Sequence, residues 1–297
     1  MMDFASIVLE SGVRFMVPLL LASLGELISE RSGVINVGLE GMMAGGAFAA
    51  FAAAVTGASL PVALLMAILF GAAVGGLMAI GAVVMKGNQI LVGFSLFILV
   101  PGFANFVLEQ LQLSGSTPAL TDIAIPGLSQ ILVIGHALFR QNIFYYASIV
   151  LTFSVWVVLV HTRMGLALSA VGHDAQKAQT KGLSPTRVQI WALLACGALA
   201  GLGGAALSIG SVGSYTPNII GGRGFIAIAI VILGRWTVLG AAGGALLMGL
   251  LDSLKLNLPQ LVNVPIQFLS ALPWLVVILM LVFSSRMRSQ APRSLAG

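Results

Sequence analysis

The chain has 297 residues, of which 59% are hydrophobic and only 8% charged. A soluble domain carries about a quarter charged residues, so composition excludes an ordinary soluble fold and points to an integral membrane protein. The net charge of +5 includes no basic run interleaved with aromatics, which argues against nucleic acid as a partner, and the single cysteine, Cys196, allows no intrachain disulfide and reads as a small packing residue.

A transmembrane helix takes roughly 20 mainly apolar residues. Such stretches are predicted near 6–27, 38–56, 60–85, 90–111, 143–161, 188–212, 225–238, 239–256 and 266–284. The expected fold is all-α: a polytopic integral membrane helical bundle of about nine segments, with eight to ten allowed because the seventh is short. Long apolar runs exclude a transmembrane barrel. The 36 glycines spread through them suit closely approaching helix backbones.

The first span begins in "MMDFASIVLESG", which lacks a positively charged n-region. It is therefore expected to stay as a span and not to serve as a cleaved leader. Its Glu10 and Arg14 are placed to pair at i,i+4.

The second span opens in "SGVINVGLEGMM", with an amide at Asn36 and a carboxylate at Glu40. Helical spacing puts residues 36, 40 and 43 on one face. Ionisable groups at membrane depth face the bundle interior or a wet cavity. Two readings stand: Asn36 and Glu40 line or gate a solute pathway, or Glu40 pairs with Arg31 or another loop cation. The glycine-rich stretches 33–46 and 221–244 are the candidates for broken helices, which build transporter sites near the midplane. Glu40 and Asp252 read as the only deep carboxylates. In the fourth span Ser95, Phe97 and Asn105 are further lining candidates.

Two connections are long. Residues near 112–142 form a loop predicted outside, and those near 162–187 one predicted inside. In the latter, Gly182 suits a helix C-terminal turn, and Ser184 followed by Pro185 suits a helix start. In "SYTPN", Tyr215, Thr216 and Asn218 lie at the external end beside Arg223. Asp252 and Lys255, at i,i+3, read as an ion pair. With nine alternating spans, ten of the 14 Lys and Arg residues fall on one side and four on the other. The first side is cytoplasmic by the positive-inside rule, which puts the N-terminus outside and the C-terminus inside.

Five stretches carry a family resemblance: "SGVINVGLEGMM", "GNQILVGFSL", "IPGLSQILVIGHALFRQNIFYYAS", "AVGHDAQKAQTKGLSPTRVQ" and "SYTPNIIGGRGFIAIAIVILGRW". Together they resemble the membrane permease subunits of bacterial ABC importers, in the branch that handles nucleosides and simple sugars and is related to the branched-chain amino acid permeases. The resemblance implies one permease domain over 1–297 in the bacterial cytoplasmic membrane, moving a small polar solute inward by alternating access. A nucleoside is the foremost solute, with simple sugars or branched-chain amino acids as the alternative.

It further implies that the inner loop forms a short coupling helix on a separate ATPase subunit. His173, Asp174, Lys177, Gln179, Lys181 and Gly182 carry that segment, and His173 and Gln179 stand where the family often has acidic residues. The implied partners are the ATPase, a second permease that is either a copy or a relative, an extracytoplasmic solute-binding protein, and membrane lipid. No cofactor is expected on this chain, and ATP would be used by the ATPase. No Gly-Lys dipeptide of a P-loop occurs. His136, His161 and His173 are dispersed, with no HExxH pair, so neither a metal site nor a catalytic residue is predicted. An ion-driven secondary transporter is the remaining competitor, and it leaves the coupling-like loop without a role.

Overall fold

The computed structural model describes residues 4–117, 120–124, 138–260, 266–284 and 292. A helix stands at each of the nine apolar stretches. They are α1 (Phe4–Arg31), α2 (Leu39–Val55), α3 (Leu60–Ala79), α4 (Gln89–Gln110), α5 (Ile143–His161), α8 (Pro185–Leu207), α9 (Arg223–Leu233), α10 (Val238–Asn257) and α11 (Ile266–Ser284). Single π-helical turns, Ile80–Val84 and Ser208–Val212, extend α3 and α8. Two short helices, α6 (Arg163–His173) and α7 (Ala175–Thr180), fill the connection between α5 and α8.

A minimal antiparallel ladder, β1 (Ile123–Ala124) with β2 (Arg140–Gln141), is a small departure from the all-helical expectation. The quoted stretch 125–148 lies partly outside the described residues, as do His136 and the C-terminal arginines at 286, 288 and 293.

Among the described residues six helices, α1, α3, α4, α5, α8 and α10, are long and apolar enough to cross a membrane. Helices α2 and α9 are shorter. With 17 residues, α2 rises about 26 Å, whereas the 11 residues of α9 rise only about 17 Å. A bilayer core is about 30 Å thick, so α9 is half a span in length.

The centre of the bundle is α1 and α8, which pack on each other. Helix α1 also packs against α10, and α8 against α2 and α3. Side-chain volume is what permits this. A Cβ added to Gly46 of α2 would collide with the backbone of Gly201 on α8, and one added to Gly71 of α3 would collide with the carbonyl of Gly197. In lipid no hydrophobic force drives helices together, so close backbone approach at small residues supplies the packing energy. Helix α4, by contrast, is peripheral and turns Leu91, Ile98, Leu99 and Phe106 outward.

Candidate functional site

Asn36 is not on a helix. After Arg31 the chain turns back into the protein through Gly33, at φ +87°, and α2 begins only at Leu39. The reason is local. Asn36 Oδ1 accepts from the amide of Gly38 at 3.1 Å, a side-chain turn that competes with helix formation. The expected shared helix face of 36, 40 and 43 is thereby corrected. Asn36 is fully buried, with its amide N–H donating to Glu26 Oε1 at 2.9 Å and its Nδ2 to the sulfurs of Met42 and Cys196.

A second break precedes α9. Gly213, Asn218, Gly221 and Gly222 all have positive φ, a conformation that glycine adopts without a steric penalty. The chain thus reaches Arg223 deep in the bundle, where the first amides of α9 need acceptors. Glu40 supplies both: Oε1 accepts from Gly222 N and Oε2 from Gly224 N, each at 2.7 Å. Glu40 also lies in the first turn of α2, where a negative charge is favoured by the helix dipole. One carboxylate therefore serves two helix N-termini.

Arg31, the cation named as an alternative partner of Glu40, does not pair with it. Arg31 donates from Nε and Nη2 to the carbonyl of Trp236, at 3.1 and 2.8 Å. Asp252 is likewise not partnered by Lys255. Its Oδ2 lies 3.2 Å from Nη2 of Arg223, because the turn into α9 swings that guanidinium onto α10. The Glu10–Arg14 pair does form, at 3.3 Å, and Arg14 also reaches Asp122 at 2.6 Å.

Between α2, α4 and the 215–220 segment lies a cavity of about 260 Å³. Its walls include Glu40, Phe97, Pro101, Asn105, Tyr215 and Asn218. Phe97, Pro101 and Asn105 follow at i, i+4 and i+8 on one face of α4, so the cavity runs about 12 Å along that helix. Tyr215 packs on Phe48 and Phe51 at centroid distances of 5.7 and 6.2 Å. At the Glu40 end, Phe94, Phe97 and Phe225 form an aromatic cluster with centroids 5.3 to 6.5 Å apart.

Of the five pathway candidates, Glu40, Phe97 and Asn105 thus meet at one cavity. Asn36 does not line it. Ser95 is exposed elsewhere on α4, with its hydroxyl returned to the carbonyl of Leu91 at 2.9 Å.

The sequence reading missed a second polar centre. Glu26 and Glu30 on α1 are fully buried, so Glu40 and Asp252 are not the only deep carboxylates. Glu30 accepts from the indole N–H of Trp236, and Glu26 faces the Cys196 thiol at 3.7 Å. Cys196 is therefore part of a polar cluster and not merely a packing residue. The available signal was the i,i+4 spacing of two acids inside "LGELISER".

Trp236 and Arg235 both stand at φ +55°. For L residues the left-handed region costs about 1–2 kcal/mol each. The surroundings hold the turn in place: Arg31 grips the Trp236 carbonyl and Glu30 its ring. Both ends of α9 are thus held by side chains of α1 and α2.

The 163–187 connection is two helices. His173 ends α6, its Nδ1 2.9 Å from the carbonyl of Ser169. Asp174 caps α7 by accepting from the Lys177 amide at 2.9 Å, and its other oxygen pairs with Lys177 Nζ at 2.9 Å. That backbone hydrogen bond, with the lysine beside it, holds the Asp174 carboxyl below its usual pKa. Gly182, at φ +84°, closes α7 with a Schellman pair in which its N–H reaches Gln179 O and that of Leu183 reaches Ala178 O. Ser184 and Pro185 then start α8.

His173, Lys177, Gln179, Lys181 and Gly182 are exposed. Gly172, by contrast, is buried against the carbonyl of Arg31, in a fit so close that a Cβ there would collide with it. The α6–α7 unit is therefore seated on the α1–α2 turn. Among the described residues, no three His, Cys, Asp or Glu side chains gather as metal ligands would.

Comparison with known proteins agrees with this architecture. The family model described as branched-chain amino acid transport system / permease component matches residues 8–284. The nucleoside ABC transporter permease protein NupC of Lactococcus lactis is 34% identical over 89% of this chain and 87% of its own length. The guanosine ABC transporter permease protein NupQ of Bacillus subtilis is 32% identical over 93% of this chain and 91% of its own. A solved metal-chelate type ABC transporter in an inward-facing conformation superposes with a TM-score of 0.54 at 18% identity, covering 93% of this chain and 85% of that one; it supports the fold alone. The chain belongs to the family of branched-chain amino acid transport system permease components, the multi-pass membrane subunits of ABC transporters.

Proposed function

We propose that this permease imports a nucleoside across the bacterial cytoplasmic membrane, driven by ATP hydrolysis on a separate subunit. One observation carries the reading: the cavity lies beside Glu40, where the N-termini of α2 and α9 meet, and Phe97 and Tyr215 stand in its walls. Helix ends at membrane depth are how transporters bring backbone and side-chain polar groups to a solute. Aromatic walls with a few polar groups suit a base and sugar. The names of the two bacterial relatives, one for nucleosides and one for guanosine, favour that class over simple sugars and branched-chain amino acids.

In this reading the N-terminus is external and the C-terminus cytoplasmic, which puts α6–α7 inside. His173, Asp174, Lys177, Gln179, Lys181 and Gly182 present the docking surface for the ATPase. A second permease, either a copy or a relative, completes the translocation unit, and an extracytoplasmic binding protein delivers the solute. The chain itself holds no cofactor. Glu40, Phe97 and Asn105 contact the solute, Asn36 braces the break behind them, and Ser95 serves outside the cavity. Movement of α6–α7 acts on the Arg31 turn through Gly172. Arg31 and Glu30 then shift the α9–α10 turn, and α9 moves against Glu40 and Phe97.

The test is uptake of labelled guanosine, glucose and leucine by cells that carry or lack this chain together with its neighbouring transport subunits. Guanosine uptake that depends on the chain supports the reading. Uptake of glucose or leucine alone assigns the chain to the other branches of the family.

A further inference from the structure

One group in the cavity has hydrogen-bonding capacity that nothing uses. The side-chain amide of Asn105 makes no hydrogen bond to any described residue, and its Oδ1 is buried. A buried polar atom left unpaired is costly, and folded proteins keep few of them. Asparagine is also a weak helix former, yet Asn105 stands within α4, ahead of its last turn. A leucine at that position would carry neither penalty. The hydroxyl of Tyr215, on the opposite wall, is likewise bonded to no described residue.

We propose that Asn105 is the specificity-determining residue of this site, its amide pairing with the polar edge of a nucleobase whose ring lies against Phe97 and Tyr215. The inference rests on the nucleoside reading above and adds the group that reads the base. A carboxamide presents one acceptor beside one donor. Every nucleobase carries the complement, an N–H next to a ring nitrogen or carbonyl, and asparagine recognises adenine in this bidentate way in nucleic-acid complexes. A sugar hydroxyl offers no such fixed pair. A site built to hydrogen-bond its substrate rejects an analogue lacking the group far more strongly than an apolar pocket rejects a size change, so a single amide suffices to rank bases.

The test uses the complete transporter in proteoliposomes with ATP, at saturating solute-binding protein. Guanosine, inosine and adenosine uptake are compared for the unaltered chain, Asn105→Leu and Asn105→Asp. Asn105→Leu is expected to slow nucleoside uptake about tenfold or more and to flatten the ranking among bases. Asn105→Asp offers two acceptors, which match the adjacent N1–H and exocyclic amine of guanine. It is expected to raise the guanosine-to-inosine ratio, an effect that a packing role would not produce. Stoichiometric co-purification with the ATPase confirms that each variant is assembled. Unaltered rates and ratios in Asn105→Leu would overturn the proposal, as would loss of assembly in both variants, which would make Asn105 structural. If the unaltered transporter moves glucose and no nucleoside, the nucleoside reading fails before any variant is compared, and base recognition fails with it.

Discussion

Glu40 accepts a 2.7 Å hydrogen bond from the backbone amide of Gly222, 182 residues further along the chain. With the matching bond from Gly224, it joins the start of α2 to the start of α9 through one carboxylate. Any change in the angle between these helices has to stretch or release those bonds. Glu40 is thus both a structural joint and a wall of the cavity.

Glu40→Gln keeps the shape but replaces one accepting oxygen with a donor. One α9 amide then loses its acceptor, at a cost of about 1–3 kcal/mol. The variant is expected to lower the thermal midpoint in detergent and to reduce uptake sharply. Uptake at the unaltered rate would remove Glu40 from the transport cycle.

At the other end of α9, Trp236→Phe keeps an aromatic side chain and removes the N–H that Glu30 accepts. The strained turn at Arg235 and Trp236 then loses one of the two α1 side chains that hold it. Solute moved per ATP hydrolysed is expected to fall, because the turn no longer follows α1. Thermal unfolding is expected to show a lower midpoint for Trp236→Phe as well, since the buried Glu30 loses its donor.

Packing makes a separate prediction. Gly46→Val forces side-chain atoms into the Gly201 backbone, where no rotamer can relieve the clash. A loss of at least about 1–3 kcal/mol is expected, seen as aggregation in detergent chromatography. Gly102→Val, at a position with open space around it, should leave the elution profile unchanged.

Asp174 provides a pH test. Its carboxyl is held below the ordinary 3.8 by the Lys177 amide, so the charged form is the one stabilised in the folded protein. The cap on α7 is therefore fully present above that value and is lost only as pH falls through the lowered one. Between roughly pH 6 and 8 Asp174 contributes no titration. Asp174→Asn, which can still cap, should leave the shape of the pH–uptake curve unchanged there, while Asp174→Ala should uncouple uptake from ATP hydrolysis at every pH in that range.

Among the described residues, apolar run length located a helix at each of the nine stretches, although only six of them are long and apolar enough to cross a membrane. Gly182, Ser184 and Pro185 were also legible, since their conformations are local. Glycine density at 33–46 and 221–244 marked the places where α2 and α9 begin, but most of the second break, at 213–222, lies before the stretch it named. What could not be read was pairing across the chain. Whether Asp252 meets Lys255 or Arg223 depends on how the 213–222 segment re-enters the bundle. Glu26 and Glu30 escaped notice because they sit at the end of an otherwise apolar span, and only the fold brings Asn36, Cys196 and Trp236 to them. Phe97 and Asn105 share a helix face by spacing alone, but Tyr215 joins them only through the tertiary structure.

If an ATPase drives this chain through the α6–α7 segment, the two proteins should be recovered together. Affinity purification of the tagged chain in mild detergent, with mass spectrometry of what accompanies it, should then yield a stoichiometric ATPase that is lost when exposed residues between Asp174 and Lys181 are substituted. Recovery of the chain alone, still moving solute in proteoliposomes without ATP, would contradict it.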